Sequence, residues 1–257
     1  MSSNFDHLFP KLNSAQKIAV ETIEGPLMVV AGPGTGKTQV LAMRVANILK
    51  KTHMRPRNIL CITFSKSGAL SMRQRLRDII GPDAYGVTVD TIHGFCNSII
   101  SQNPIVFEQW SALKQISDVE RYRELNKIID QLLPDCVLVN KKSPYMRTRD
   151  IIGRISQLKR EGVTKKEDLK RVVDEYEQIM ATKSREGTKA QKKNLIMARK
   201  FREFIEVFHK YQEMLEATGR YDYEDMILRV VDALRQEDWM LAGLQEKYQY
   251  ILVDEFQ

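Results

Sequence analysis

The chain has 257 residues, of which 43% are hydrophobic and 28% are charged, and its formal net charge is +7. This balance excludes a disordered chain, which would combine low hydrophobicity with a high net charge. The cysteines Cys61, Cys96 and Cys136 lack CxxC or metal-ligand spacing, which excludes a disulfide framework and a structural zinc site. The first residues do not resemble a signal peptide, and no apolar run reaches the ~18 residues that span a bilayer. We therefore predict a cytoplasmic protein with no membrane partner.

The positive charge is concentrated in one part of the chain. Residues 141–220 contain 21 Lys and Arg against 12 Asp and Glu, an excess of nine positive charges. Such an excess suits a polyanion such as nucleic acid, but it also occurs on solvated helical faces. The charge pattern alone leaves both interpretations open.

Short apolar runs of strand type occur at residues 27–31, 59–63, 87–89 and 250–253. Amphipathic stretches over residues 37–50 and 66–80 separate the first three runs. Alternation of continuous apolar strands with helices is typical of a parallel sheet covered on both faces. The predicted fold class is therefore α/β, with a parallel sheet flanked by helices.

More than 150 residues without a convincing strand separate residue 92 from the last apolar run. This length is too great for one crossover connection, so we predict an inserted all-α subdomain. A segment rich in Lys, Gly, Thr and Gln at residues 184–193 predicts a turn between two of its helices. The predicted helices cover residues 118–133, 151–161, 166–182, 189–218 and 223–236.

A glycine-rich segment directly follows the first apolar run and precedes an amphipathic helix. Its glycines allow successive N–H groups to face phosphate oxygens, and the helix N-terminus adds the positive end of its dipole. We expect Lys37 to reach the β- and γ-phosphates of a nucleotide and the Thr38 hydroxyl to ligate Mg²⁺. Ala31 replaces the glycine of the strict pattern, and the alternative is a simple glycine turn closed by a helix. The predicted loop comprises Ala31, Gly32, Pro33, Gly34, Thr35, Gly36, Lys37 and Thr38.

Two adjacent carboxylates, Asp254 and Glu255, directly follow the last apolar run. Ligands of α/β sheets bind beyond the carboxyl ends of the strands, so Asp254 is predicted to hold Mg²⁺ through water and Glu255 to polarise the attacking water. Mg²⁺ needs only one or two protein carboxylates besides phosphates and waters. A carboxylate pair after a strand also caps helices, but with the phosphate loop it predicts one catalytic site containing Lys37, Asp254 and Glu255.

These motifs, in this order, resemble the N-terminal part of UvrD/Rep-type superfamily 1 DNA helicases. The resemblance implies a RecA-like P-loop motor domain at residues 1–103 and 220–257, with a helical subdomain inserted at residues 104–219. It implies ATP and Mg²⁺ as cofactors, and ATP hydrolysis coupled to 3′ to 5′ movement on single-stranded DNA and to duplex unwinding. Repair or recombination proteins are the partners that it suggests.

The same resemblance suggests how the adenine is bound. Residues 12–16 are similar to the adenine-recognition motif of the family, which implies that Gln16 reads the base. Asn13 and Gln16 also have the spacing of a capping box, so Gln16 alternatively binds the backbone at a helix start. Gln39 stands where the family usually has an arginine that packs on the adenine, which predicts weaker or rearranged base contacts.

Two further segments resemble motifs that contact single-stranded DNA. Phe64 is followed by Ser65, Lys66 and a basic helix, and it is predicted either to stack a base or to be an ordinary core residue. Ser65 stands where many members have an asparagine, so the contacts of that residue are not carried over. The resemblance implies that Thr91 and His93 contact DNA phosphates, although His93 alternatively makes a structural hydrogen bond near a helix start.

The chain ends inside its carboxylate motif, whereas the resemblance places charge-stabilising arginines in a second motor domain. Such an arginine contributes about 10³ to 10⁵ in rate. We therefore expect an N-terminal piece of a longer protein, which binds nucleotide, hydrolyses it slowly and does not unwind DNA alone. Two alternatives are a nucleotide-gated DNA-binding or scaffolding module and a different phosphate-loop enzyme, such as a kinase.

Overall fold

A computed structural model describes residues 4–132, 136–163, 165–183 and 188–256 of the chain. The chain divides into two compact units, Met1–Gln102 with Asp232–Gln257, and Asn103–Val231. The first unit is mixed α/β, as predicted, and the second is mainly helical. None of the helices in the described residues combines the length and apolar character that a membrane span requires.

Most helices and strands lie close to the residue ranges that the sequence predicts. The helices are α1 (Phe5–Leu8), α2 (Ser14–Glu21), α3 (Lys37–Lys51), α4 (Lys66–Ile80), α5 (Ile92–Gln102), α6 (Glu108–Ser111), α7 (Asp118–Leu132), α8 (Thr148–Arg160), α9 (Lys166–Lys183), α10 (Lys189–Ala217), α11 (Tyr223–Gln236) and α12 (Asp238–Lys247). The strands are β1 (Ile59–Thr63), β2 (Thr88–Thr91), β3 (Lys114–Gln115), β4 (Arg220–Tyr221) and β5 (Tyr250–Val253).

A three-stranded parallel sheet in the order β2-β1-β5 forms the centre of the first unit. Cys61 of β1 lies opposite Val89 on one side and Leu252 on the other, so β1 is the middle strand. All five residues of β1 are buried, as expected for a strand with neighbours on both edges and helices on both faces. The predicted parallel sheet flanked by helices is confirmed.

The apolar run at residues 27–31, predicted as the first strand, is not a strand in the structure. Met28 and Val30 are 81% and 87% exposed. Among the described residues no strand pairs with this run, and an extended segment is stabilised as a strand only when a neighbour takes its backbone hydrogen bonds. The prediction was wrong because an apolar pattern does not by itself supply a pairing partner.

The second unit is built from helices and one short strand pair. Its core contains the fully buried side chains of Leu125, Ile155, Phe208 and Tyr211. The parallel pair of β3 with β4 was not predicted, because two-residue strands carry no periodic pattern. In the predicted turn at residues 184–193, α10 already begins at Lys189, and residues 184–187 lie outside the described part of the chain.

A charged network is buried in the second unit. Lys159 of α8 is completely buried, and its Nζ lies 2.7 Å from Oδ2 of Asp222 and 2.7 Å from Oδ1 of Asp225. The Tyr211 hydroxyl donates to Asp222 at 3.3 Å, and the Arg121 guanidinium donates to Ser156 and pairs with Asp222 at 3.6 Å. A buried ammonium is tolerated only when anions surround it. The network therefore attaches the segment that joins β4 to α11 to the helical core.

The three cysteines are free thiols, and all are buried. Burial, assisted by the charge of Asp254, raises the pKa of Cys61 to about 12. Burial also raises the pKa of Cys96 to about 11. Both thiols are therefore neutral at physiological pH.

Candidate nucleotide site and DNA-contact edge

The glycine-rich loop has the backbone that a phosphate loop requires. Gly34 and Gly36 have φ angles of 74° and 81°, in the left-handed region that favours glycine, and α3 begins directly afterwards at Lys37. The Thr35 hydroxyl donates to the carbonyl of Gly32 at 2.8 Å, which stabilises the turn. The loop thus leads into a helix N-terminus, where backbone N–H groups are available to an anion.

The Lys37 side chain folds back over this loop. Its Nζ donates to the carbonyl oxygens of Ala31 and Gly32 at 3.3 and 3.2 Å. Both acceptors are neutral, so they orient the ammonium without cancelling its charge. The full positive charge of Lys37 is held at the loop, where it attracts phosphates.

The second half of the site lies beyond β5. The backbone N–H of Asp254 donates to the carbonyl of Ile62 at 2.8 Å, which continues the ladder with β1 and fixes the carboxylate at the end of the sheet. Oδ2 of Asp254 lies 3.5 Å from the Thr38 hydroxyl oxygen. The structure therefore brings together the two residues that were predicted to hold the metal.

These two oxygen atoms fit the ligand preference of Mg²⁺. Mg²⁺ binds hard oxygen ligands and commonly takes only one or two from the protein, with phosphates and waters completing its shell. In the described residues there is no group of three or more His, Cys, Asp or Glu side chains that could enclose a metal alone. Thr38 and Asp254 therefore suit a cation that arrives with a nucleotide.

Glu255 has an unusual backbone conformation. Its φ angle of 57° is the only positive value at a non-glycine position among the described residues. This conformation costs of order 1–3 kcal/mol and is concentrated at functional sites in proteins. The strained residue is therefore the one that was predicted to polarise the attacking water.

Gln16 makes both of the contacts that the capping-box alternative requires. Its backbone N–H donates to Oδ1 of Asn13 at 2.9 Å, and its Oε1 accepts from the Asn13 backbone N–H at 3.0 Å. Its Nε2 also donates to the carbonyl of Thr35 at 3.0 Å. The capping role is confirmed, and the same amide connects α2 to the phosphate loop. Adenine recognition by Gln16 remains a prediction.

The carboxyl ends of β1 and β2 lie side by side, because Thr63 pairs with Thr91 in the parallel register. Phe64 follows β1 with 84% of its surface exposed, so the core alternative for this ring was wrong. Ser65 caps α4 by accepting from the Gly68 backbone N–H at 3.0 Å, and Lys66 begins that helix as an exposed residue. The segment from the end of β1 to the start of α4 therefore presents an exposed ring, Phe64, and a cation, Lys66, at this edge.

Thr91 and His93 lie at the neighbouring strand end. The buried Thr91 hydroxyl accepts from the Gly94 backbone N–H at 3.1 Å, which leaves its own hydrogen available to an acceptor such as a phosphate oxygen. His93 is half-buried in the first turn of α5. The predicted DNA-contacting residues thus occupy one edge of the sheet.

The three arginines of α4 have different partners. Arg73 donates to the Val89 carbonyl and Arg77 to Gln74, whereas Arg75 donates from NH1 to Oε1 of Gln39 at 2.9 Å. The contact of Arg75 with α3 was not predicted, because 36 residues separate Arg75 from Gln39 and no local pattern connects them.

A phosphate loop that opens α3, faced by a carboxylate beyond a parallel strand, defines a P-loop nucleotide-binding protein. Residues 12–257 match the model of the UvrD/REP helicase N-terminal domain, and the chain belongs to that family, whose fold is the RecA-like P-loop fold. It is 29% identical to the ATP-dependent DNA helicase PcrA of Staphylococcus aureus strain Mu50 and 30% identical to that of a Staphylococcus epidermidis strain. Each similarity covers 97% of this chain and 30% of the relative, so the chain spans less than a third of their length.

Proposed function

We propose that this chain is the ATP-binding part of an ATP-dependent DNA helicase or translocase. Residues 1–103 and 220–257 would form its first motor domain and residues 104–219 the inserted helical subdomain. The distance of 3.5 Å between Thr38 Oγ1 and Asp254 Oδ2 carries the proposal, because it joins the phosphate loop and the carboxylate motif into one site. Membership of the UvrD/REP family and relatives named ATP-dependent DNA helicases support it.

Each residue of the site has a separate role in binding the nucleotide or in its hydrolysis. The loop N–H groups and the α3 N-terminus bind the phosphates, and Lys37 adds its charge at the β- and γ-phosphates. Thr38 and Asp254 would hold Mg²⁺, which when bound neutralises charge on the phosphates. Glu255 orients the attacking water and accepts its proton, while Gln16 binds the adenine. We also propose that the chain alone hydrolyses ATP slowly. The family resemblance assigns the charge-stabilising arginines to a second motor domain.

The DNA ligand would lie along the edge formed by the ends of β1 and β2. Phe64 is available to stack a base of single-stranded DNA, and Thr91 and His93 would contact phosphates. Movement with 3′ to 5′ polarity, duplex unwinding and association with repair or recombination proteins belong to the whole protein in this proposal. The excess of positive charge at residues 141–220 favours additional contacts of the insertion with DNA.

Isothermal calorimetry of Mg-ATP binding tests the proposal directly. We expect binding by the wild-type chain, loss of binding in Lys37→Ala, and unchanged binding in Lys51→Ala, which removes the same charge from the other end of α3. Equal binding by Lys37→Ala and wild type would overturn the site. ATP turnover that rises when single-stranded DNA is added would separate a motor from a nucleotide-gated binding module.

A further inference from the structure

The first half of α10 carries positive charge without negative charge. Residues 189–202 contain six Lys and Arg residues and no Asp or Glu. A cation in the first turn, such as Lys189, opposes the helix dipole and does not stabilise the helix. On α9, by contrast, Arg171 lies 3.7 Å from Asp168 and 4.0 Å from Glu175. Pairs of that kind are typical of a solvated helical face, and the first half of α10 does not have this composition.

Four of these cations surround one exposed isoleucine. Ile196 is 51% exposed, and a cation stands three and four residues away from it in both directions along the chain. Residues at these spacings are neighbours on the surface of a helix. Ile196 and its four cationic neighbours are here called the Ile196 patch. The four neighbours are Lys192, Lys193, Arg199 and Lys200.

Most of the charge in the Ile196 patch is available to an anion. Arg199 pairs with Glu203 at 3.0 Å. Within the described part of the chain, Lys192, Lys193 and Lys200 form no ion pair. Lys192 and Lys193 are also exposed. An anionic partner would therefore meet ammonium groups whose charge is not already neutralised.

Apolar surface accompanies this charge. Leu195 and Met197, on either side of Ile196 in the chain, are 60% and 37% exposed. A nucleic-acid backbone would engage the cations and leave these side chains uncovered. A bilayer surface binds a continuous apolar helix face, whereas cations interrupt the apolar side chains here. A protein segment that combines carboxylates with apolar side chains matches both the charge and the apolar surface.

We propose that the Ile196 patch is the docking surface for an acidic segment of a partner protein that also carries apolar side chains. Carboxylates of the segment pair with Lys192, Lys193 and Lys200, and one of its apolar side chains covers Ile196. None of these residues belongs to the proposed nucleotide site or to the proposed DNA-contact edge. The inference therefore goes beyond the proposed function and does not rest on it.

The test uses two labelled peptides of equal length and charge, one repeating Glu-Glu-Leu and the other Glu-Glu-Ala. Their binding to the whole chain is measured by fluorescence anisotropy. We expect wild type to bind the Glu-Glu-Leu peptide about 3- to 10-fold more tightly, because only leucine offers Ile196 a large apolar partner. Ile196→Ala is expected to remove this difference and Ile196→Leu to keep it. The double variant Lys192→Gln with Lys193→Gln is expected to weaken binding of both peptides by about 2- to 10-fold.

Ile105→Ala is the matched control. Ile105 is 91% exposed in the same unit, and no Lys or Arg stands within four residues of it in the chain. Equal affinity of wild type for the two peptides, or absence of peptide binding, would overturn the inference. Equal losses in Ile105→Ala and Ile196→Ala would overturn it as well.

Two further probes distinguish the other classes of partner. They are a single-stranded oligonucleotide with the charge of the peptides and vesicles of phosphatidylglycerol. We expect Ile196→Ala to leave binding of both unchanged, because neither probe is proposed to cover Ile196. A larger loss for the oligonucleotide than for the Glu-Glu-Leu peptide would assign the patch to nucleic acid, and a larger loss for the vesicles would assign it to a membrane surface. Either result would overturn the inference.

Discussion

The hydroxyl oxygen of Thr38 lies 3.5 Å from Oδ2 of Asp254, although 216 residues separate the two in the chain. Thr38 is placed by the first turn of α3, and Asp254 by a ladder hydrogen bond to Ile62 that continues β5 past its last residue. Each oxygen is therefore held by regular structure rather than by a free loop. A site assembled in this way is ordered before its ligands arrive, which lowers the entropic cost of binding.

Asp254→Asn is expected to raise the Mg²⁺ concentration needed for half-maximal ATP binding by at least about tenfold. The substitution keeps the shape of the side chain but removes its negative charge, and Mg²⁺ prefers charged oxygen ligands. A Mg²⁺ titration at fixed ATP measures the effect. The thermal unfolding midpoint should be unchanged, since Asp254 is partly exposed. If variant and wild type required the same Mg²⁺ concentration, Asp254 would not be a ligand of the metal.

Phe64→Ala is expected to weaken binding of single-stranded DNA by about 1 to 3 kcal/mol without changing stability. Stacking of one base on an aromatic ring has that magnitude, and the ring is too exposed to contribute to the core. Fluorescence anisotropy with a labelled oligonucleotide measures the change. Leu70→Ala, which removes another exposed apolar side chain in the same region, is the control. Equal effects of the two substitutions would argue against stacking by Phe64.

Lys159→Met is expected to destabilise the second unit by about 3 to 5 kcal/mol. The change leaves the buried carboxylates of Asp222 and Asp225 without their common partner, and loss of one member of a buried pair has this cost. The free energy of unfolding is measured by urea titration followed through the fluorescence of Trp110, which lies in this unit. A Trp239→Phe background removes the tryptophan of the first unit. Arg171→Met, which breaks the exposed pair with Asp168 in the same unit, should cost under about 1 kcal/mol. A similar small cost for Lys159→Met would contradict the prediction.

The second unit is expected to lose stability as the pH rises from about 4 to about 6. Burial, together with the charge of Asp222, outweighs the attraction of Lys159 and raises the pKa of Asp225 to about 6. The folded state therefore binds a proton that the unfolded state has already released in this window, and the stabilisation is lost as the pH passes 6.

The pKa of Asp222 is shifted the other way, because Lys159 and Arg121 outweigh the effect of burial and lower it. Its contribution changes only below about pH 4, outside the window assigned to Asp225. Urea unfolding of wild type and Asp225→Asn between pH 4.5 and 7.5 separates the two. The variant should lack the decline between pH 4.5 and 6, and an unchanged decline would assign it to another group.

The sequence by itself determined the parts of this protein that depend on neighbouring residues. The glycines before Lys37, the capping box of Asn13 and Gln16, and the apolar periodicity of α4 all act within a few residues, so their patterns predicted the loop, the cap and the helix. The carboxylate motif was recognised in the same way, because Asp254 follows an apolar run directly. Their assembly into one ATP site was inferred from the order of motifs.

Only the tertiary structure decided which distant groups meet. The apolar run at residues 27–31 has the composition of a strand, yet it has no pairing partner among the described residues. The contact of Arg75 with Gln39 and the enclosure of Lys159 by Asp222 and Asp225 join segments 36 to 66 residues apart. Strand pairing and burial of charge depend on the groups that the folded chain brings alongside, and a local sequence pattern does not contain those partners.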